Sequence, residues 1–171
     1  MNETLQNIIT RRTIRKYKNE NISEEVLNQI LEAAMHAPSA VNQQPWHFVV
    51  ITDKEILGEL SKIHGGMTQL KNAPIAIAVT GEPGITKLEY YWQQDCTFAS
   101  HNIMLAAKSL GIGSSFMGIN PYGDESMDIV KNILKLPEGI VPFSIIALGY
   151  PDEARSIKSR FKPERIHKQT W

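Results

Sequence analysis

The 171-residue sequence predicts one layered domain of the α/β or α+β class, in which helices alternate with strands. The first indication is periodicity, because segments with apolar residues at helical spacing alternate with short apolar runs bounded by turn residues. The second is size and composition, since 42% hydrophobic and 21% charged residues in a chain of this length suit one domain with a complete core. The third is the absence of an internal repeat or linker. We therefore expect a single domain over residues 1–171.

Four helices and four strands make up the predicted alternation. Ser23 can cap the first helix, and Pro38 ends it because the residue before a proline avoids the helical region. The glycine pair 65–66 is expected to end the second helix in the left-handed conformation, and Gly111 marks the end of the third. In chain order, the predicted helices cover about 23–37, 53–64, 87–110 and 126–134, and the predicted strands cover about 48–51, 74–80, 114–117 and 143–148.

The third predicted helix is the longest and is rich in small residues. Ala99, Ala106 and Ala107 alternate with larger apolar residues, which would let this helix run through the middle of the fold. The aromatic cluster 90–92 near its start is more typical of a core than of a site. The polar segment 151–171 has no clear periodicity and ends in Trp171, whose indole needs a partner on its own domain or on another subunit.

Basic residues concentrate at the two ends of a chain whose net charge is zero. Segments 1–20 and 151–171 hold eleven of the eighteen Lys and Arg residues, so these ends sum to +6 and the middle to −6. Such ends attract anions. A small phosphate suits them better than nucleic acid, because no basic stripe is interleaved with aromatic residues. Solvated surface charge at two exposed termini is the alternative interpretation.

Cysteine usage and hydropathy favour a cytoplasmic protein without a membrane partner. Cys96 is alone, so no internal disulfide can form, and no Cys/His cluster has zinc-site spacing. The N-terminus lacks a basic region followed by an apolar run, and no stretch approaches about 18 uninterrupted apolar residues. We expect neither a metal nor a membrane span.

The loop 37–46, with the sequence APSAVNQQPW, is the most distinctive segment of the chain. Pro38 and Pro45 stiffen its ends, and a rigid loop between two regular elements is a common place for binding groups. Its uncharged side chains suit a polar, uncharged heterocycle, although they could instead bond the backbone of the loop itself. These polar side chains are Ser39, Asn42, Gln43 and Gln44.

The sequence contains neither of the common nucleotide fingerprints. No Gly-x-Gly-x-x-Gly follows a strand, and no phosphate-binding Gly-x-x-x-x-Gly-Lys-Ser/Thr is present. No nucleophile elbow or metal-binding histidine pair is evident either, so no side chain is a candidate catalytic residue. Phosphate-attracting ends and an uncharged polar loop without a nucleophile or general base indicate a bound cofactor that performs the chemistry. FMN fits, since arginines bind its phosphate well and the loop can meet its ribityl chain and ring edge.

Four motifs, in order along the chain, resemble those of the nitroreductase family of flavin enzymes. Residues 11–17, RRTIRKY, resemble the family motif Arg-x-Ser/Thr-x-Arg/Lys, which grips the flavin phosphate and ribityl chain. Residues 38–46 resemble the family motif Pro-Ser-Ser/Ala-x-Asn-x-Gln-Pro-Trp. The resemblance gives the phosphate and ribityl role to Arg11, Arg12, Thr13 and Arg15, places Pro38, Ser39 and Ala40 along the flavin ring, and has Asn42 bond the cofactor.

The remaining motifs lie in the second half of the chain. Gln69 stands where the family often places a polar flavin contact. The segment 116–118 resembles the turn whose backbone approaches the flavin ring, and it implies contacts from Met117 and Gly118. Many members have a glutamate where this chain has Met117, so only a backbone contact is inferred there. The final motif, Lys158-Ser-Arg160, resembles the C-terminal Lys-x-Arg that completes the phosphate site.

The resemblance implies an α+β fold with a mainly antiparallel central sheet flanked by helices, and an intertwined homodimer. Each of two flavin sites would draw on both chains, and the C-terminal tail 151–171 would pack on the partner subunit. The implied activity passes electrons from NADH or NADPH through FMN to an electron-poor small molecule, such as a nitroaromatic or quinone, in a two-step, ping-pong reaction. Short loops at 65–71 and 81–91 favour a plain reductase. Alternatives are a flavin-binding or redox-sensing protein without turnover, reductive dehalogenation, and nucleic-acid binding through the basic ends.

Overall fold

The computed structural model describes residues 1–119 and 125–171. Five α-helices and four strands lie within them, joined by short 3-10 segments. In chain order these are α1 (Glu3–Thr10), α2 (Glu24–Met35), β1 (Trp46–Ile51), α3 (Lys54–Leu60), β2 (Ile75–Gly81), α4 (Trp92–Ser109), β3 (Gly113–Gly118), α5 (Ser126–Leu134) and β4 (Val141–Gly149). The predicted α+β fold with an antiparallel central sheet is confirmed.

The four strands form one sheet in the order β1-β2-β4-β3, and every neighbouring pair is antiparallel. β2 and β4 are the central strands, and β2 is buried at all of its positions. A strand that is covered on both faces reads as a continuous apolar run, which is why its location was evident from the sequence. β3 is an edge strand, and its outer side receives the N-terminal segment through a parallel bridge between Thr13 and Ser114.

The sheet separates two hydrophobic clusters. Along β2, Ala76 and Ala78 face a cluster that includes residues of α3 and α5, while Ile77 and Val79 face a cluster formed with α2 and α4. This alternation follows from the two-residue period of a strand. Each fully buried Ile, Val or Leu side chain contributes roughly 1.5–3 kcal/mol of transfer free energy to folding. The small residues of α4 let this helix contact all four strands, as the sequence predicts for a helix in the middle of the fold.

Two helix ends differ from the sequence expectation. The glycine pair 65–66 does not end α3 in the left-handed conformation: α3 ends at Leu60, and a 3-10 segment begins at Gly65. The His64 imidazole accepts a hydrogen bond from the Gly66 N–H at 3.1 Å and so starts a new turn instead. Gly111 has φ +76° after α4, which is the conformation that favours glycine at a helix end.

The segment before α4 also differs, because α4 begins at Trp92 rather than near residue 87. The Gln43 amide donates to the Leu88 carbonyl at 3.3 Å and accepts from the Leu88 N–H at 3.2 Å, which ties this segment to the loop 37–46. Tyr90 is 93% exposed and Tyr91 42% exposed in the single chain, so the interpretation of both tyrosines as core residues was wrong.

The sequence did not reveal α1, which buries none of its residues. The Asn2 side chain caps it by accepting from the Leu5 N–H at 2.9 Å, and the Asn7 amide donates to the Leu105 carbonyl of α4. Its apolar side chains Leu5, Ile8 and Ile9 are 46–49% exposed. Leu5, Ile8 and Ile9 have helical spacing, but a run of eight residues is shorter than the window over which such spacing identifies a helix.

Candidate functional site

The N-terminal basic segment is held in an extended conformation between β3 and the start of the tail. The Ile14 N–H donates to the Ser114 carbonyl at 2.9 Å, and further along the Lys18 N–H donates to the Tyr150 carbonyl at 2.9 Å. The Ile14 side chain lies so close to Gly113 that a Cβ on this glycine would stand 2.8 Å from it. Backbone pairing and close packing therefore fix where the arginines of this segment lie.

Arg11 and Arg12 share a groove of about 570 Å³ with Lys158 and Arg160 of the tail. Apolar side chains of α1 and the tail, among them Ile8 and Ile157, complete the groove, and none of the described residues that line it carries a carboxylate. Burial, together with repulsion from Arg160 and Arg12, lowers the pKa of the Arg11 guanidinium. Cations that crowd together without a carboxylate favour an anionic ligand.

Arg12 shows where such a ligand could bind. Its Nε donates to the Ser156 carbonyl at 3.1 Å, and its Nη1 donates to the carbonyls of Ile9 at 2.9 Å and Arg11 at 2.7 Å. Its Nη2 is buried and has no hydrogen-bond partner among residues 1–119 and 125–171. A buried donor without a partner costs about 1–3 kcal/mol, and more when it is charged. A phosphate oxygen would satisfy it, so these residues fit the phosphate of FMN.

Arg15 lies outside this groove and lines a separate cavity. Its backbone N–H donates to Glu153 Oε1 at 2.6 Å, and the other oxygen of Glu153 is 2.6 Å from Nη2 of Arg155. The hydrogen bond from the Arg15 backbone is the main reason that the pKa of Glu153 lies below its ordinary value. Glu153 therefore binds the backbone N–H of Arg15. The guanidinium of Arg15 remains available to a ligand. Thr13, whose backbone pairs with β3, is half-buried.

The loop 37–46 is held by a buried carboxylate on α4. Asp95 is 2% exposed, and its Oδ1 accepts from the Ala40 N–H at 2.9 Å while its Oδ2 accepts from the Gln43 amide at 2.7 Å. The Ser39 hydroxyl accepts from the Gln44 N–H at 3.1 Å. The Gln44 amide in turn donates to Asn42 Oδ1 at 2.8 Å. Much of the polar content of the loop thus fixes its own shape.

These contacts hold backbone conformations that the sequence disfavours. Val41, Asn42 and Gln44 have φ values of 45°, 56° and 47°. A left-handed residue other than glycine costs roughly 1–2 kcal/mol, and a β-branched one such as Val41 is unusual there. Strain of this kind persists only where surrounding contacts impose it, and it is frequent at ligand sites.

The remaining predicted residues flank β3. The Gln69 amide is buried and donates to the Gly66 carbonyl at 2.9 Å and to the Ser115 hydroxyl at 3.0 Å. Met117 is 4% exposed and its side chain belongs to the hydrophobic core. Gly118 follows it at the exposed end of the strand. The Met117 side chain is therefore not available to a ligand.

The structure joins some of the predicted residues and separates others. Arg11 and Arg12 meet Lys158 and Arg160 in one groove, but Arg15 and the loop residues Pro38, Ser39, Ala40 and Asn42 do not line it. Asp95, which positions the loop, was missed by sequence reasoning. The available signal was a lone acidic residue next to Cys96 and Ala99 on the apolar face of a helix.

Other kinds of site receive no support from the described residues. Within 1–119 and 125–171, no three His, Cys, Asp or Glu side chains gather as metal ligands would. Over the same residues, no helix combines the length and apolar character needed to cross a bilayer. Burial, with a smaller contribution from Asp95, raises the pKa of the Cys96 thiol to about 12, so this residue is not a reactive thiolate.

An antiparallel sheet between two helical layers, with a cationic groove where the chain ends meet, defines an α+β protein with a candidate anion site. The sequence model of the nitroreductase family matches residues 8–82 and 65–150, and the chain belongs to this family. A relative from Archaeoglobus fulgidus, provisionally named an NADH dehydrogenase/NAD(P)H nitroreductase, is 45% identical over 175 residues and is covered completely, as is this chain.

Solved structures agree with this assignment. The structure of a protein from Parabacteroides distasonis with the same provisional name has a TM-score of 0.93 and 32% identity, and all of both chains is covered. An FMN-dependent nitroreductase from Clostridium difficile R20291 has a TM-score of 0.90 and 31% identity, with 98% of this chain and 99% of that chain covered.

Proposed function

We propose that the protein is an FMN-dependent oxidoreductase that passes electrons from NADH or NADPH to an electron-poor small molecule, such as a nitroaromatic or a quinone, in two half-reactions. The observation that carries this proposal is the groove of four cations without a carboxylate, in which a buried guanidinium nitrogen lacks a partner. Bound FMN would supply the hydride chemistry, which no side chain of this chain has to perform.

The groove residues would hold the phosphate of FMN. Arg12 Nη2 is a free donor, and Arg11 and Arg160 add guanidinium groups whose mutual repulsion an anion would relieve. Lys158 contributes a further charge from the same tail. Thr13 and Arg15 continue from this groove along the N-terminal segment and would meet the ribityl chain and ring. Gln69 and the backbone of Met117 and Gly118 would approach the ring from the side of β3.

The loop would complete the site from the second chain of a homodimer. Pro38, Ser39 and Ala40 would lie along the ring and Asn42 would bond the cofactor, although none of them lines the groove of its own chain. The clamp by Asp95 would preorganise this strained loop before the flavin binds. Gln44, Pro45 and Trp46 would support its shape.

Exposed apolar surface supports the dimer. The apolar side chains of α1 and Phe98 of α4 are about half exposed, and Phe161 of the tail is 74% exposed. Trp171 is fully exposed in the single chain and stacks only on the His167 ring, at 4.2 Å. A partner subunit would bury these groups. We therefore propose one domain over residues 1–171 whose tail, 151–171, packs on the partner. A reducing compartment such as the cytoplasm suits its single, unpaired Cys96.

The first experiment is an absorbance spectrum of the purified protein, followed by anaerobic addition of NADH and then of a quinone. The proposal expects a bound flavin that bleaches with NADH and regains its colour with the quinone. Protein without flavin after loading with FMN would refute the proposal. A flavin that is reduced but not reoxidised by any acceptor would instead favour the flavin-binding or redox-sensing alternative.

Substitutions test the phosphate assignment. Arg160→Ala and Arg15→Ala are expected to weaken FMN retention at least tenfold, because each removes a cation that would face the cofactor. Arg165→Ala is the matched control, since Arg165 lies on the same exposed tail but does not line the groove. Unchanged retention in Arg160→Ala would rule out the phosphate site, and unchanged retention in Arg15→Ala would remove Arg15 from the flavin site.

Mixed dimers test the shared site. We expect Arg160→Ala and Asn42→Ala homodimers each to bind FMN weakly. When the two variants are unfolded together and refolded, a mixed dimer has one site with both substitutions and one site with neither. A gain of about half a flavin per chain in the mixed dimer supports a site made by two chains. No gain would place the loop and groove of one chain in the same site.

A further inference from the structure

A second cationic cavity includes Arg15 of the N-terminal motif and is separate from the phosphate groove. It has a volume of about 560 Å³ and shares no lining residue with the groove. Five cations line it together with one carboxylate, that of Asp152. They are Arg15, Lys16, Lys18, Lys54 and Lys71.

The charge of this cavity is not balanced by ion pairs. Of these five cations, only Lys18 has a carboxylate partner among the described residues, Glu20 at 4.0 Å, while the side chains of Lys16 and Lys71 have none there. The lining therefore carries a formal charge of +4 in a protein whose net charge is zero. Like charges around one concave surface raise the local potential and favour a ligand with more than one negative charge.

The cations come from three separate segments that the fold fixes against one another. The N-terminal segment is bridged to the tail at Tyr17 and Pro151, and the Asp152 N–H donates to the Lys16 carbonyl at 2.9 Å. Lys54 is the first residue of α3, and its Nζ donates to the Ala73 carbonyl at 2.9 Å, next to the segment that carries Lys71. The cavity is therefore part of the fold and not a chance meeting of surface side chains.

Arg15 connects this cavity with the proposed flavin site. It belongs to the N-terminal motif, whose other arginines line the phosphate groove, but its own position is at the second cavity. The phosphate of FMN accounts for the groove. A second phosphate-bearing ligand that must reach the flavin ring is the dinucleotide electron donor, and a cavity of this volume is within the usual range for nucleotide-sized ligands.

We propose that this cavity binds the pyrophosphate of NADH or NADPH and thereby holds the donor while its nicotinamide reaches the flavin. The inference rests on the proposed function. Lys16 and Lys71 would act by charge on the phosphates, and Asn72 would offer its amide beside them. Because the lysines are exposed, each contributes modestly.

Binding of ADP-ribose tests whether the cavity binds a pyrophosphate. This probe carries the pyrophosphate but lacks the nicotinamide, so the protein cannot turn it over. We would titrate it by calorimetry into FMN-loaded protein. Lys16→Met and Lys71→Met are each expected to weaken binding about two- to fivefold, and the double variant about tenfold. Lys71→Arg should retain most of the affinity. Lys62→Met is the control, since Lys62 is an exposed lysine just after α3 that does not line the cavity.

Kinetics with two donors provide the second measurement. In the double variant Lys16→Met/Lys71→Met, the KM for NADH should rise about tenfold. This rise is measured relative to any change in the KM for 1-benzyl-1,4-dihydronicotinamide, a donor that carries no phosphate. Equal losses with both donors would overturn the proposal, as would unchanged ADP-ribose affinity. Loss of FMN from the double variant would also overturn it, because the cavity would then hold the cofactor. Wild-type protein that binds no flavin, or that neither donor reduces, would refute the proposed function itself.

Discussion

Replacing Asp95 by alanine is expected to release the loop 37–46 and to weaken FMN binding while the domain remains folded. Asp95 is the buried group that accepts from both the Ala40 N–H and the Gln43 side chain. Alanine removes both acceptors, which leaves the Ala40 N–H without its partner and the Gln43 amide with only the Leu88 carbonyl. The side chains of the hydrophobic core are not touched by this substitution.

The loss of stability follows from two opposing free energies, that of the hydrogen bonds to Asp95 and that of the strained backbone of the loop. Hydrogen bonds to a charged group contribute roughly 1.5–3 kcal/mol each, so the clamp by Asp95 amounts to about 3–6 kcal/mol. The left-handed conformations of Val41 and Gln44 cost about 2–4 kcal/mol together, at 1–2 kcal/mol each, while asparagine at position 42 tolerates this region. Because the free energy of these hydrogen bonds is comparable to the cost of the backbone strain, the loop can relax once Asp95 is removed. Part of the lost bond energy is regained, and we expect a net destabilisation of about 2–4 kcal/mol, a fall in Tm of roughly 5–15 °C.

Three measurements check this reasoning. Thermal unfolding gives the stability, hydrogen exchange at the Ala40 and Gln43 amides reports the loop, and FMN titration should give a Kd at least tenfold higher than for wild type. Thr97→Ala is the matched control, because Thr97 is exposed on the same helix and its hydroxyl bonds only the Gln93 carbonyl. The clamp is refuted if Asp95→Ala leaves Tm and loop exchange unchanged. A loosened loop with an unchanged Kd would remove the loop from the flavin site.

Three further substitutions test other parts of the structure. Gly113→Ala should destabilise the protein by about 1–3 kcal/mol in chemical unfolding and loosen FMN, because its Cβ would stand 2.8 Å from the Ile14 side chain. Gly58→Ala, where no atom lies within 4 Å, should instead stabilise α3 by about 0.5–1 kcal/mol; equal effects of the two would contradict the packing described here. For Glu153, whose pKa is lowered from 4.5 in the folded state, wild type should be more stable than Glu153→Gln above pH 4.5, and the difference should vanish as the pH falls through the lowered pKa. Urea unfolding of wild type and Glu153→Gln, from above pH 4.5 to below the lowered pKa, measures this difference in stability. A difference that grows on acidification would contradict the lowered pKa of Glu153.

The sequence predicted elements best where the signal is local. Ser23 does cap α2 by accepting from the Val26 N–H at 3.3 Å, and α5 has the predicted bounds. Periodic apolar residues and capping side chains act over a few positions, so they can be read directly from the sequence. α1 was missed although its apolar residues have helical spacing, because its eight residues are too few for periodicity alone to identify a helix.

The start of α4 is set by a contact between distant residues and not by a local signal. Residues 87–91 have no local signal that stops a helix, yet the Gln43 side chain binds the backbone of Leu88 and keeps this segment out of α4. A contact between residues so far apart in the chain overrides local propensity. The same contact between Gln43 and Leu88 accounts for the exposure of Tyr90, because the position of Tyr90 depends on where α4 begins.

By itself the sequence determined the succession of helices and strands, the family, and the residues of the flavin motifs, because each of these depends on spacing within short segments. Only the tertiary structure decided which of these residues meet. Arg11 and Arg160 come from opposite ends of the chain and share one groove, whereas Arg15, four residues after Arg11, turns to another cavity. The structure also made Asp95 the support of the loop. The physical reason is that hydrogen bonds and charge interactions depend on distances in space, which the pairing of β3 with the N-terminal segment and the packing of α4 set together.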